Sequence, residues 1–241
     1  DNRAVYRSKL NLDSDEAARQ SAVARVYSDL GFQQLALVEG WKSVNTDPTN
    51  YSAHRFLADS YSVRPRQEIA RVSELLQSQL LQPQNITPIQ PRLAESNLFL
   101  ISAQGPASLS FNEFNPIFNR NGAAAQISGL GGNNNTFGGE AVISAIQNKL
   151  SWSFGATAFT TDGWRKNAFQ DDKIFNGFVQ YELTYKTSIQ AEYRYRDIEY
   201  GDVSLNFFED NDFPNFSREN QTETYRLGFR HAFSPGSNLI G

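Results

Sequence analysis

Two histidines are the only imidazoles in the 241 residues, and no cysteine is present, so thiol catalysis, disulfides and zinc–thiolate sites are excluded. His54 falls in a predicted helix and His231 on the apolar side of a predicted strand, in different parts of the chain. No Asp/Glu pair stands out as an acid–base couple, so the sequence names no catalytic residue and an enzyme is not expected. Residues 197–219 gather Asp197, Glu199, Asp202, Glu209, Asp210, Asp212 and Glu219 against Arg218 alone. A divalent cation or a basic partner would suit such a segment. However, Asp210-Asn211-Asp212 lacks the glycine and distant Glu of a calcium loop, and a solvated loop accounts for it. The glycines of 129–139 surround three asparagines, but no Lys follows and no helix is expected there, so a turn is expected instead of a phosphate cradle. No metal and no cofactor are expected.

The charges with the most informative spacing sit on alternate positions. Gln180 and Glu182 belong to one run, Gln190, Glu192, Arg194 and Arg196 to the next, and Arg226 and Arg230 to a third. If that face lines a lumen, four Arg against two Glu lean toward anionic solutes or polymers, because charged rings set pore selectivity. The other reading is that opposed charges only neutralise one another in a narrow or plugged lumen.

Period-two alternation makes these runs strands. Phe175, Gly177, Val179, Tyr181, Leu183 and Tyr185 share one face, and Ile189, Ala191, Tyr193 and Tyr195 continue it in the next run. A loop of Lys186-Thr187-Ser188 would pair Tyr185 with Ile189. It would place Gln180 opposite Arg194, and Glu182 opposite Glu192, a like-charge pair that disfavours that register. Leu150, Trp152, Phe154, Ala156 and Ala158 form another apolar face, preceded by a strand over about Gly139–Ile146 and a weaker one over about Ala123–Leu130. Tyr225, Leu227, Phe229 and Phe233 form the last full one, and Asn238–Gly241 begins a seventh strand. Short connections alternate with longer ones at Gly131–Thr136, Thr161–Lys173 and Gly201–Gln221. Trp152, Tyr185 and Phe233 lie near the short-turn end; Phe175, Tyr193 and Tyr195 lie nearer the loop end. Long strands, alternating loop lengths and two aromatic girdles suit a membrane β-barrel. A water-soluble antiparallel sheet with one buried face gives the same alternation without those features.

The first part of the chain reads as helices. Asp13-Ser14-Asp15-Glu16 is a capping cluster, expected to start a helix that ends at Gly31. Helices follow over about Phe32–Ser43, Tyr51–Tyr61 and Arg66–Leu81, with a turn at Asp47-Pro48-Thr49-Asn50. Pro83, Pro88 and Pro91 mark a linker. The fold class is therefore α+β with two domains: helices over 1–82, a linker or plug-like segment over 83–117, and antiparallel strands over 118–241. The formal net charge of −4 argues against nucleic acid as a partner. No apolar run of about 18 residues exists, which excludes a membrane helix but not a membrane barrel. The chain holds no Met, so it is expected to be processed or part of a longer protein.

The helices resemble two tetratricopeptide repeats, with a period of about 34 residues. Val23, Ala24, Tyr27, Phe32 and Ala36 carry the resemblance in the first, and Leu57, Ala58, Tyr61 and Ala70 in the second. It implies that the small residues let paired helices approach and that Tyr27, Phe32 and Tyr61 fill gaps between them. The first repeat departs from the family pattern at Gln33, Gly40 and Ser43. The whole chain resembles Gram-negative outer-membrane proteins with periplasmic tetratricopeptide repeats and a C-terminal barrel, a layout shared by exopolysaccharide-export porins. Uncharacterised envelope proteins share a linker like Gln79-Leu80-Leu81-Gln82-Pro83. The resemblance implies an outer-membrane location with the helices in the periplasm, lipid around the barrel, and periplasmic protein partners on the helices. It also implies a secreted polymer or anionic solute as cargo. It carries over no functional residue. Six strands and the start of a seventh fall short of the roughly eight of the smallest single-chain barrels, so further strands or further chains would complete this one. Three classes stay open: an export channel, a membrane-anchored scaffold without transport, and a soluble binding protein.

Overall fold

The computed structural model describes residues 12–62, 67–82, 118, 121–203, 213–234 and 237–241. The linker or plug-like segment expected over 83–117, and Glu209, Asp210 and Asp212, lie outside them. Among the described residues the chain is α+β: four helices are followed by a seven-stranded antiparallel sheet.

Helix α1 spans Leu12–Asp29, so the Asp13–Glu16 cluster lies inside its first turn instead of ahead of it. Acidic side chains are favourable there too, because they face the positive end of the helix dipole. Ser14 instead donates to Asp47 Oδ2 at 2.8 Å. Gly31, at φ +86°, ends α1. The Phe32 amide donates to the Tyr27 carbonyl at 2.8 Å and the Gly31 amide to that of Ser28 at 3.0 Å. This is a Schellman termination, in which a left-handed residue satisfies the last carbonyls. Its accompanying apolar contact is Tyr27 against Phe32, ring centroids 6.5 Å apart and nearly perpendicular.

Helix α2 spans Gln33–Thr46 and α3 spans Tyr51–Ser62. Between them Asn50 Oδ1 accepts the Ser52 and Ala53 amides at 3.0 and 3.2 Å, a side-chain cap for α3. Helix α4 spans Glu68–Leu81. Ala24, Ala36, Leu37, Phe56 and Leu57 form the helical core, with Tyr27, Val44 and Tyr61 packed on it. At Gly40 an added Cβ would stand 2.8 Å from Phe56 Cδ1, so the aromatic ring missing from α2 is supplied by α3. Ser43, where the repeat pattern has alanine, is buried and donates to the Ala17 carbonyl at 2.6 Å.

The strands run β1 Gly122–Gly132, β2 Thr136–Gln147, β3 Leu150–Thr161, β4 Gln170–Thr184, β5 Thr187–Tyr200, β6 Arg218–Ser234 and β7 Ser237–Ile240. Each pairs with its sequence neighbour. Two expectations are corrected. The connection expected over Gly131–Thr136 is a three-residue turn at Asn133–Asn135, because Asn134 and Asn135 adopt left-handed φ values of 56° and 51°. A short asparagine run can reverse the chain in this way without a long loop. The β4–β5 hairpin turns on Tyr185-Lys186, with a bulge between Glu182 and Thr184. Ile189 therefore pairs with Tyr181, Gln180 with Gln190 and Glu182 with Ser188. Glu192 lies opposite Phe178, and the like-charge clash disappears.

Candidate functional site

Burial alternates along the strands, and the side that carries most of the polar residues is the buried one, together with Val142, Ile146, Phe159, Ile174 and Phe178. Ser151 and Ser153 on β3, Asp172, Asn176 and Gln180 on β4, and Ser188, Gln190, Glu192 and Arg194 on β5 are all buried. The other face carries Phe154, Phe175, Tyr185, Tyr193, Leu227 and Phe233, with Phe154 60% and Leu227 81% exposed. Trp152 and Tyr195 share that face and are half-buried. The exposed side is the more apolar of the two.

On the apolar face the floor is small and the walls are aromatic. Phe154 lies over Gly177, 3.3 Å from where a Cβ would stand. Tyr193 stacks on Tyr225 at 5.0 Å, and both hydroxyls donate to Glu223 Oε1 at 2.8 Å. Phe175 meets Tyr195 at 6.4 Å. Of the aromatics expected as girdles, Phe175, Tyr195 and Tyr193 lie in cross-strand pairs, whereas Trp152 packs on Phe154 and Phe233 on His231 of their own strands.

On the polar face Glu192 is the hub. It accepts from Asn176 Nδ2 at 2.8 Å, from Gln79 Nε2 at 2.7 Å and from Arg226 Nη2. Gln79 Oε1 in turn accepts from Gln190 Nε2 at 2.8 Å. Arg196 pairs with Asp172 at 3.1 Å. Arg230 donates to Asn238 at 3.1 Å and to the Leu80 carbonyl at 3.4 Å. The expected polar-face set therefore meets on one surface, with Glu182 half-buried near its short-turn end.

Sequence reading missed Asp172, Glu140 and Gln79. Asp172 sits two residues beyond Ile174, an apolar interruption of the polar row, in a stretch taken for loop. Continuing the alternation back along β4 would have found it. Gln79 carried no signal, because nothing in a helix says which strand it will meet. Glu140 and Asp172 add two carboxylates to the face that carries Arg194, Arg196, Arg226 and Arg230, and Arg196 pairs with Asp172 and Arg226 with Glu192.

In the helices Ala24, Ala36, Leu57 and Ala58 are buried, Tyr27 and Tyr61 are half-buried, and Ala70 lies half-buried outside the core. Phe32 is 58% exposed: its role is the Schellman contact with Tyr27, not filling between helices. Arg55 is buried against Asp59 at 3.2 Å. Burial pulls its guanidinium below the usual range, and the nearby carboxylates of Asp59 and Glu192 act against that. His54 Nδ1 meets Glu74 Oε2 at 2.5 Å and Nε2 meets the Pro48 carbonyl at 2.8 Å. Burial lowers the imidazole pKa, but the Glu74 and Pro48 hydrogen bonds and the Glu74 and Asp47 charges outweigh it, and the net shift is upward. Val23, Val26, Leu35, Val38 and Trp41 leave an apolar stripe exposed on α1 and α2.

At the long-loop end, the loop after β3 and the segment after β5 are tied together. Arg165 pairs with Asp202 at 3.0 Å, and Asn167 Nδ2 donates to the Phe213 and Phe216 carbonyls at 2.8 and 2.7 Å. No helix among the described residues is long and apolar enough to cross a membrane. No protein family, curated protein or solved structure matches the chain.

Proposed function

We propose that the chain forms part of an outer-membrane β-barrel channel whose helices are tetratricopeptide-like repeats facing the periplasm. One observation carries this reading: the sheet buries its polar face and exposes its aromatic and aliphatic one. Lipid is the solvent for which that sidedness is favourable. Strands of 11 to 17 residues over β1–β6 support it, since a tilted strand needs about 10 residues to cross the hydrocarbon. The exposed stripe of Val23, Val26, Val38 and Trp41 is the surface on which a periplasmic protein partner would dock. A secreted polymer or small solute would pass along the polar face. Its near-balance of Arg and carboxylate favours a weakly selective path over a strongly anionic one.

A specific observation favours a second reading, a membrane anchor without transport. The polar face is held in part by its own ion pairs, Arg196 with Asp172 and Arg226 with Glu192, and by Gln79 from the helices, as a structural core would be.

The test is extraction and heat modifiability. The full-length protein in outer-membrane fractions should resist carbonate washing and migrate differently on gels before and after boiling. Release by carbonate, with one mobility either way, would end the membrane reading and leave a soluble binding role. Single-channel conductance then separates channel from anchor.

A further inference from the structure

Helix α4 does not lie beside the sheet; its last turn stands on the polar row of β5 and β6. Gln79 is 0% exposed and is held at both ends of its amide, by Glu192 and by Gln190. The Leu80 carbonyl, one of the orphan acceptors of a helix end, is met by Arg230 of β6. A cation there also faces the negative end of the helix dipole. Gly228 makes the approach possible. A Cβ at that position would stand 2.8 Å from Gln190 Cγ and 3.1 Å from Leu76 Cδ1, so a larger residue would displace the helix. Beside it, Ile240 of β7 packs on Tyr51 and Leu81. All these positions lie toward the short turns that close β4–β5 and β6–β7.

We infer that the end of α4, backed by α3, is a stopper seated in the short-turn mouth of the lumen, and that the channel conducts when this stopper leaves β5–β7. The inference rests on the channel reading above. The chemistry of the seat makes it reversible. Its polar contacts are a few hydrogen bonds, Gln79 with Glu192 and Gln190 and Arg230 with the Leu80 carbonyl, which water can replace. When the helix departs, Gln79, Gln190 and Arg230 pass to water. Glu192 is not left bare, because Asn176 and Arg226 remain on it from the sheet itself. The apolar contacts given up are those of Leu76 over Gly228 and of Ile240 with Tyr51 and Leu81. Polar interfaces of this kind permit relative motion of the parts they join.

The test uses the full-length protein in a planar bilayer. The sequence holds no cysteine, so Gln79→Cys with Gln190→Cys supplies a clean thiol pair for a short, reducible bis-thiol reagent. Cross-linking should form in intact outer membranes and hold conductance at least about tenfold below that of the same protein after reduction. Gly228→Leu should act oppositely, raising conductance severalfold over wild type while the boiling shift is retained. Two results would overturn the stopper while leaving the barrel standing, provided the boiling shift is intact. One is equal conductance before and after reduction, and the other is failure of the pair to cross-link. Loss of the boiling shift in the wild-type protein would remove the channel and the stopper together.

Discussion

Glu192 shows how one side chain can be tied to the whole arrangement. Its carboxylate answers Arg226, Asn176 and Gln79 on a face from which water is largely excluded. Glu192→Ala leaves the Arg226 guanidinium buried without its carboxylate, and breaking such a pair costs about 3–5 kcal/mol. The midpoint of the boiling shift in denaturant should fall accordingly, whereas a change below about 1 kcal/mol would mean that water already solvates the pair. His54 carries a separate prediction. Both ring nitrogens face acceptors, Glu74 and the Pro48 carbonyl, so the doubly protonated ring satisfies both. Its pKa in the folded state is raised. The stabilisation is therefore full below the unfolded value of about 6.5 and is lost as pH rises through the folded value. Helical melting followed by circular dichroism should drop over that rise, and His54→Leu should flatten the dependence. A wild-type melting temperature that is level from acid to mildly alkaline pH would show that the ring is not charged.

At the scale of elements, the helices bury apolar side chains among themselves, whereas the sheet exposes an apolar face. Between α2 and α3, Gly40 is a packing residue: Phe56 occupies the space a side chain would take. Gly40→Ala improves helix propensity by about 1 kcal/mol. Overpacking against a buried ring costs about 1–3 kcal/mol, so a net loss of stability is expected. Adding Phe56→Leu should recover part of it, a coupling that a thermodynamic cycle would measure. In the sheet the informative element is β3. Phe154→Arg puts a charge in the middle of the exposed apolar face, which in a bilayer costs about 2–4 kcal/mol. Folding into lipid vesicles should weaken by that amount. The same substitution on a water-facing sheet would be neutral or would improve solubility, so the sign of the effect separates the two environments.

For the whole molecule, among the described residues β1 and β7 each pair on one side only, so the sheet is open. Open edges present rows of unpaired donors and acceptors and invite association. Residues 1–241 produced in detergent should therefore associate, eluting as particles larger than one chain. A monodisperse single-chain particle would mean that closure comes from within the segment. The class of the fold was legible in advance: helices up to Leu81, strands from about Ala123, and the sides of the strands all follow from periodicity. Register was less so. The three-residue loop assigned to 186–188 paired Ile189 with Tyr185, whereas a bulge after Glu182 and a two-residue turn pair it with Tyr181. Both registers keep the same faces together, so side-chain pattern alone could not choose between them.

The sequence by itself determined what is local. Alternation set which side chains share a face, Asn50 capped α3, Gly31 ended α1, and small residues at 24, 36 and 58 were in place for close helix packing. Each of these depends on a few neighbouring residues and on backbone geometry that any chain must obey. Only the tertiary structure decided which face of the sheet is buried, because alternation is the same whether the apolar side meets a core or lipid. It alone brought Gln79 to Glu192 and Leu76 to Gly228. Those contacts join residues more than 100 positions apart, and nothing within either segment specifies its partner.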